Sequence, residues 1–109
     1  MNVLNKKLDK KTVFNLTNNA EHIMAVKGEG VEVKGVTFGT AVDADGVEQE
    51  VAYVLNDEKA YFCGAASVVN ALKSAVTVFR DEIEKGSITC VFDQRETGKG
   101  RTIWFVEVV

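Results

Sequence analysis

Arg95, Lys99 and Arg101 fall within the seven-residue run RETGKGR at 95–101, with Glu96 as the one acid among them, and the run lies between two apolar alternating segments. Cations placed in this way can grip phosphate. A P-loop requires Gly, four residues, then Gly-Lys-Ser/Thr opening a helix. Here Gly98-Lys99 is followed by Gly100, position 93 is Asp, and strand-like residues come next. The run therefore reads as a hairpin turn whose glycines supply positive φ.

Other residue types capable of chemistry do not assemble into a known constellation. His22 is the single histidine, and Cys63 and Cys90 stand far apart without CxxC spacing, so a His/Cys zinc site is not expected and the thiols read as buried and free. No serine has a GxSxG context. The DADG run at 43–46 has its glycine too early for an EF-hand loop and no glutamate to close twelve residues, so it reads as an Asp-Gly hairpin turn. Asp81, Glu82 and Glu84 read as a solvated helix face. No cofactor, metal or catalytic pair is implied, and the expectation is a non-enzyme.

The elements that must position the basic loop follow from periodicity. With 109 residues, 46% hydrophobic and 27% charged, the chain suits one domain with its own core. The polar, basic residues 1–11 are expected to form a flexible arm, with the domain at 12–109. TVFNLTN (12–18) alternates as a strand would, and residues 20–30 show neither period. VEVKGVTFGTAV (31–42), interrupted at Gly35 and Gly39, reads as a long coiled strand, and VEQEVAYVL (47–55) returns from the DADG turn. The short strand KAYFC follows. Over 65–84 the apolar residues Ala65, Val69, Leu72, Val76, Phe79 and Ile83 step by four and three, which is one amphipathic helix, with Gly86 at a left-handed stop. SITCVFD (87–93) and TIWFVEVV (102–109) close the chain as strands. The fold class is mostly β with one helix, in the order β-β-β-α-β-β. That is the order of the OB-fold, a five-stranded Greek-key barrel.

Strand parity sorts the aromatic residues. Glu107 facing water turns Trp104, Val106 and Val108 inward and Phe105 outward. Lys59 facing water makes Tyr61 exposed and Phe62 core. Phe14, Phe79 and Phe92 are expected in the core, and Tyr53 shares a face with Val51 and Leu55 with its hydroxyl at the rim. Thirteen Lys and Arg against 16 Asp and Glu give a net charge of −3, which argues against indiscriminate binding to polyanions. The N-terminus lacks an apolar leader and no stretch reaches the roughly 18 apolar residues of a membrane helix, so a cytoplasmic location without a membrane partner is expected.

Three stretches carry a family resemblance: VFN near the start, AYFCGAASVVNALKSAV with its tyrosine just before an alanine-rich helix, and GKGRTIWFVEV at the end. In order and spacing they resemble the small single-stranded DNA-binding proteins of tailed phages that replicate linear genomes by protein priming. The resemblance covers most of the chain. It implies an OB-fold that coats displaced single strands during DNA replication and protects them, with tyrosines among the stacking residues. Tyr61 is the residue here with a counterpart among those tyrosines. With the chain ending in its last strand, no acidic tail is expected, so contacts to replication proteins would use the folded surface. The expectation is thus a non-catalytic, sequence-independent single-stranded DNA-binding protein in the host cytoplasm. Tyr61 and Phe105 would stack bases, Tyr53 is a further DNA-binding candidate, and Lys34, Arg95, Lys99 and Arg101 would contact phosphates. The alternative is a β-barrel adaptor that binds a protein.

Overall fold

The computed structural model describes residues 8–109 together with the backbone of Val3–Leu4. In chain order the elements are β1 (Val3–Leu4), α1 (Lys10–Asn18), β2 (Glu21–His22), a 3-10 turn (Ile23–Val26), β3 (Gly30–Val33), β4 (Gly35–Val42), β5 (Glu48–Leu55), β6 (Ala60–Cys63), α2 (Ala66–Val78), α3 (Arg80–Lys85), β7 (Ile88–Glu96) and β8 (Thr102–Val108). The protein is mostly β, with one sheet ordered β1-β4-β5-β6-β2 and a second ordered β3-β7-β8. Among the described residues no helix is long and apolar enough to cross a membrane.

The β-branched run 30–42 supplies a strand to each sheet. Its first part, β3, pairs antiparallel with β7 and turns Val31 and Val33 inward. At Lys34 the chain bends, the Lys34 N–H donates to the Leu55 carbonyl at 2.8 Å, and β4 continues as the antiparallel partner of β5. One strand changing sheets at a bend makes a corner between two packed sheets. The expected single long strand is two, broken at Lys34 just before Gly35, and β4 runs on through Gly39.

Between the sheets and α2 lies the main core, which includes Val33, Val54, Tyr61, Leu72, Ile83 and Phe92. The helical face read from the four-three spacing is the buried one: Val69, Leu72, Val76 and Ile83 are buried, and Ala65 and Phe79 pack against the same cluster. The expected single helix is two, because the chain leaves helical geometry at Phe79, where φ is −107°. Gly86 has φ −167°, which is extended backbone, so the left-handed stop is not used. Both hairpin turns form as expected. Asp43 Oδ1 accepts from the amides of Asp45 and Val47 around Gly46 at φ +80°, and the Thr97 N–H donates to the Arg101 carbonyl around Gly100 at φ +74°.

Three further expectations are corrected. First, residues 12–18 are helical. Asp9 caps α1 by accepting from the Thr12 amide at 2.8 Å, and that hydrogen bond holds its carboxyl below the usual value. Val13 and Leu16, three apart on one helical face, pack with Leu8, Leu55 and Ala60 in a small second cluster. Phe14 points away from that face and is 66% exposed, so it is not core. Second, no closed barrel forms among the described residues. The outer edge of β6 takes β2 as a parallel partner, Glu21 opposite Tyr61 and His22 opposite Phe62, in place of β8. Third, of the arm expected at 1–11, Val3–Leu4 pair with β4 while Lys10 and Lys11 open α1. Residues 1, 2 and 5–7 lie outside the described residues.

Cys63 and Cys90 are free and buried in the main core, as expected. Burial pushes the Cys90 thiol up to about 11 from an ordinary 9.0, and raises Cys63 in the same direction. The native state thus holds these protons where the unfolded chain releases them. For Cys90 the stabilisation is complete below about pH 9 and is lost as pH rises towards 11, at about 1.4 kcal/mol per pH unit, and Cys63 acts in the same direction. Urea melts at pH 8 and pH 10.5 are expected to show this loss, and Cys90→Ala should flatten the difference. An unchanged difference in that variant would contradict the assignment.

Candidate nucleic-acid interface

Four ring-bearing side chains line up across strands that are distant in sequence. On the face of the first sheet away from the main core, Tyr53 of β5 is directly opposite Phe62 of β6, and Phe62 is directly opposite His22 of β2. Residues directly opposite in register leave the same face of a sheet as neighbours, and the ring-to-ring contacts of the row are made by His22. The His22 and Phe62 ring centroids are 5.2 Å apart with the planes at 85°, and the row continues to Trp104 of β8, 6.3 Å from His22 at 59°. His22 is exposed, and Tyr53, Phe62 and Trp104 are half-buried.

Each member of the row is held by local structure. The Tyr53 ring packs at the margin of the cluster under α1. Trp104 rests on the main core from the inward parity of β8, and its carbonyl accepts from the Ser67 hydroxyl at 2.7 Å. Ile23, fully buried, anchors the turn that follows β2. His22 Nδ1 accepts from the Met24 amide at 3.0 Å, so in the neutral ring the proton sits on Nε2, where it can donate to a ligand. The row crosses the seam between β6 and β8 that a closed barrel would have sealed with backbone hydrogen bonds.

The expected platform is rearranged accordingly. Tyr61 is 7% exposed and faces Val54 in the main core, so it is corrected from stacking residue to core residue. Lys59 misled the parity because it belongs to the Asn56–Lys59 turn, where Asn56 Oδ1 accepts from its amide at 2.7 Å. The opposite face of β6 is covered by α1, so Ala60 is buried too. Phe62, expected in the core, is half-buried in the row. Phe105 does leave β8 on the face opposite Trp104, as expected. Arg95 stacks over its ring at 5.5 Å from the centroid, away from the row. Neither expected stacking ring lies in the row, and of the expected DNA-binding residues Tyr53 is the one that does.

The cations divide in the same way. Lys34, expected to contact phosphate, is pinned between Asp57 and Glu32, with its side chain largely buried. The hydrogen bond to Asp57 holds its ammonium above the ordinary lysine value. It is already neutralised and is no longer a phosphate candidate. Lys99 and Arg101 are exposed on the β7–β8 turn, and neither forms an ion pair among the described residues. Three residues of extended chain separate Arg101 from Trp104, about 10 Å at 3.3 Å per residue, within reach of neighbouring phosphates on one strand. The β4–β5 turn of the first sheet carries Asp43 and Asp45, which repel phosphate. No group of three or more His, Cys, Asp or Glu that could hold a metal occurs among the described residues.

Sequence reasoning missed His22, Phe62 and Trp104 as site residues. His22 lies in the stretch with neither period, and the row exists only through the register of β2 on β6. No protein-family model, curated protein or solved structure matches the chain.

Proposed function

We propose that this chain is a non-catalytic, sequence-independent single-stranded DNA-binding protein, built as an OB-type barrel left open at one seam. The observation that carries the reading is the row Tyr53, Phe62, His22 and Trp104. Unpaired bases stack on such rings at about 1–3 kcal/mol each, regardless of sequence, whereas the bases of a duplex are already stacked inside it. The pairing pattern supports the fold assignment. One strand serves both sheets, β5 and β6 stand as the second and third barrel strands, a helix follows, and β7–β8 close the order. In OB-folds the second and third strands and the loop before the last strand form the oligonucleotide face. Tyr53 and Phe62 lie on those strands, and Lys99 and Arg101 in that loop. The reading agrees with the resemblance to the single-stranded DNA-binding proteins of protein-primed phages, and with replication proteins as further partners.

Stacking must dominate, because the net charge is −3 and the site offers two free cations. Two phosphate contacts give a log–log salt slope of about −1.4, at about 0.7 per contact. Anisotropy titrations of labelled oligo-dT over a range of salt are expected to return that shallow slope, with duplex DNA of equal length binding far more weakly. Arg101→Ala should reduce the slope by about 0.7, and Lys34→Ala should leave it unchanged. An unchanged slope for Arg101→Ala would remove that residue from the interface. Equal affinity for duplex and single strand would overturn the reading.

A further inference from the structure

A groove of ≈ 620 Å³ runs between α1 and the outer face of β4 and β5, with Lys10, Phe14, Thr17, Asn18, Thr37 and Tyr53 in its lining. Its size falls within the roughly 300–1,000 Å³ of pockets that take small organic ligands. The one charged lining side chain is Lys10, which forms no ion pair among the described residues. Phe14 stands 66% exposed beside it. No packing role requires a phenyl ring there, since α1 is held to the sheet through Val13 and Leu16. Tyr53 belongs both to the groove and to the end of the ring row, so the groove continues the row's path.

We infer that this groove is a nucleotide subsite, in which one unpaired base lies against Phe14 and Tyr53 and its phosphate meets Lys10. The inference rests on the single-stranded DNA reading and extends it by one element. The occupant is a nucleotide because the lining pairs ring faces with an exposed cation, and a purely apolar peptide face would leave the Lys10 ammonium without a counter-charge. Helix α1 then acts as a clamp. It has no fully buried side chain and rests on the small second cluster, so a nucleotide bridging it to Tyr53 would hold it against the sheet.

The test uses the full chain with oligo-dT of graded length, and compares wild type with Phe14→Ala and Lys10→Ala. Because Phe14 is exposed, its removal should leave the melting temperature unchanged. Expected are an affinity about tenfold lower for Phe14→Ala and, because Lys10 adds a third phosphate contact that steepens the wild-type slope from the two-contact value of about −1.4 to about −2.1, a slope smaller by about 0.7 for Lys10→Ala. Amide hydrogen exchange within residues 13–19 should slow when oligo-dT binds wild type. If wild type binds oligo-dT while Phe14→Ala binds equally well and exchange in α1 is unaltered, the subsite is wrong and the row stands. If wild type binds no oligo-dT, both fall together.

Discussion

Trp104→Leu is expected to weaken oligo-dT binding by about 10- to 100-fold, the value of one lost base–ring stack, while the domain stays folded. Leucine keeps an apolar side chain against the main core, on which the half-buried Trp104 rests, and the Ser67 hydroxyl bonds to the Trp104 backbone carbonyl, which the substitution leaves in place. The loss should therefore appear in affinity, with the melting temperature moving by only a few degrees. Phe62→Leu should act in the same direction. The two rings are joined through His22, which contacts both, so the double variant is expected to depart from the product of the single effects. Unchanged affinity in Trp104→Leu would take the row out of the binding site.

Phe92→Ala should have the largest effect on stability. Phe92 is fully buried, the largest such side chain among the described residues, on the middle strand of the second sheet opposite Val106, and its carbonyl accepts from the Gly28 amide at 2.8 Å. Emptying that position costs about 3–5 kcal/mol through lost burial and the cavity left behind. Domains of this size have a total stability of about 5–15 kcal/mol. The melting temperature should fall by about 4–8 °C for each kcal/mol, and chemical denaturation should shift by the same free energy. The equivalent truncation at Phe14 is expected to be neutral, although strand alternation places both rings in the core. Thermal melts of the two variants thus test the helical assignment of residues 10–18 as well as the core. A large loss at Phe14 would contradict it.

Much of the fold was legible where one physical signal acted alone. The β4–β5 and β7–β8 hairpins follow from alternation ended by an Asp-Gly turn and a glycine-rich turn, because half-buried strands show their period directly. The buried stripe of α2 and α3 follows from helical spacing, and the alternation of β8 set Trp104 and Val106 against the core. The errors arise where an element is buried on two sides or paired by distant chain. Tyr61 was misplaced because β6 is covered by α1 on one face and by the core on the other, so its alternation is masked. The helix at 10–18 carried a local signal, Asp9 as a cap with Val13 and Leu16 three apart, but Phe14 and Leu16 also fit a period of two. In a window that short both periods fit.

The candidate site was the least legible part, for a related reason. Lys99 and Arg101 are exposed on the turn as expected, because loop position and charge are local properties. Lys34 was misassigned because its neutralisation depends on Asp57, 23 positions away. The ring row depends on a two-residue strand, Glu21–His22, docking in parallel on the edge of β6, and no local pattern encodes that register. A tryptophan at an inward-facing position normally signals packing. Here the open seam lets it serve packing and remain partly accessible.

The chain's single tryptophan lies in that row, so its emission reports directly on the surface where bases are held to stack. Adding oligo-dT to the wild-type protein should quench Trp104 fluorescence in a saturable manner, with duplex DNA of the same length giving little change. Emission that stays flat through a saturating excess of oligo-dT would contradict the account.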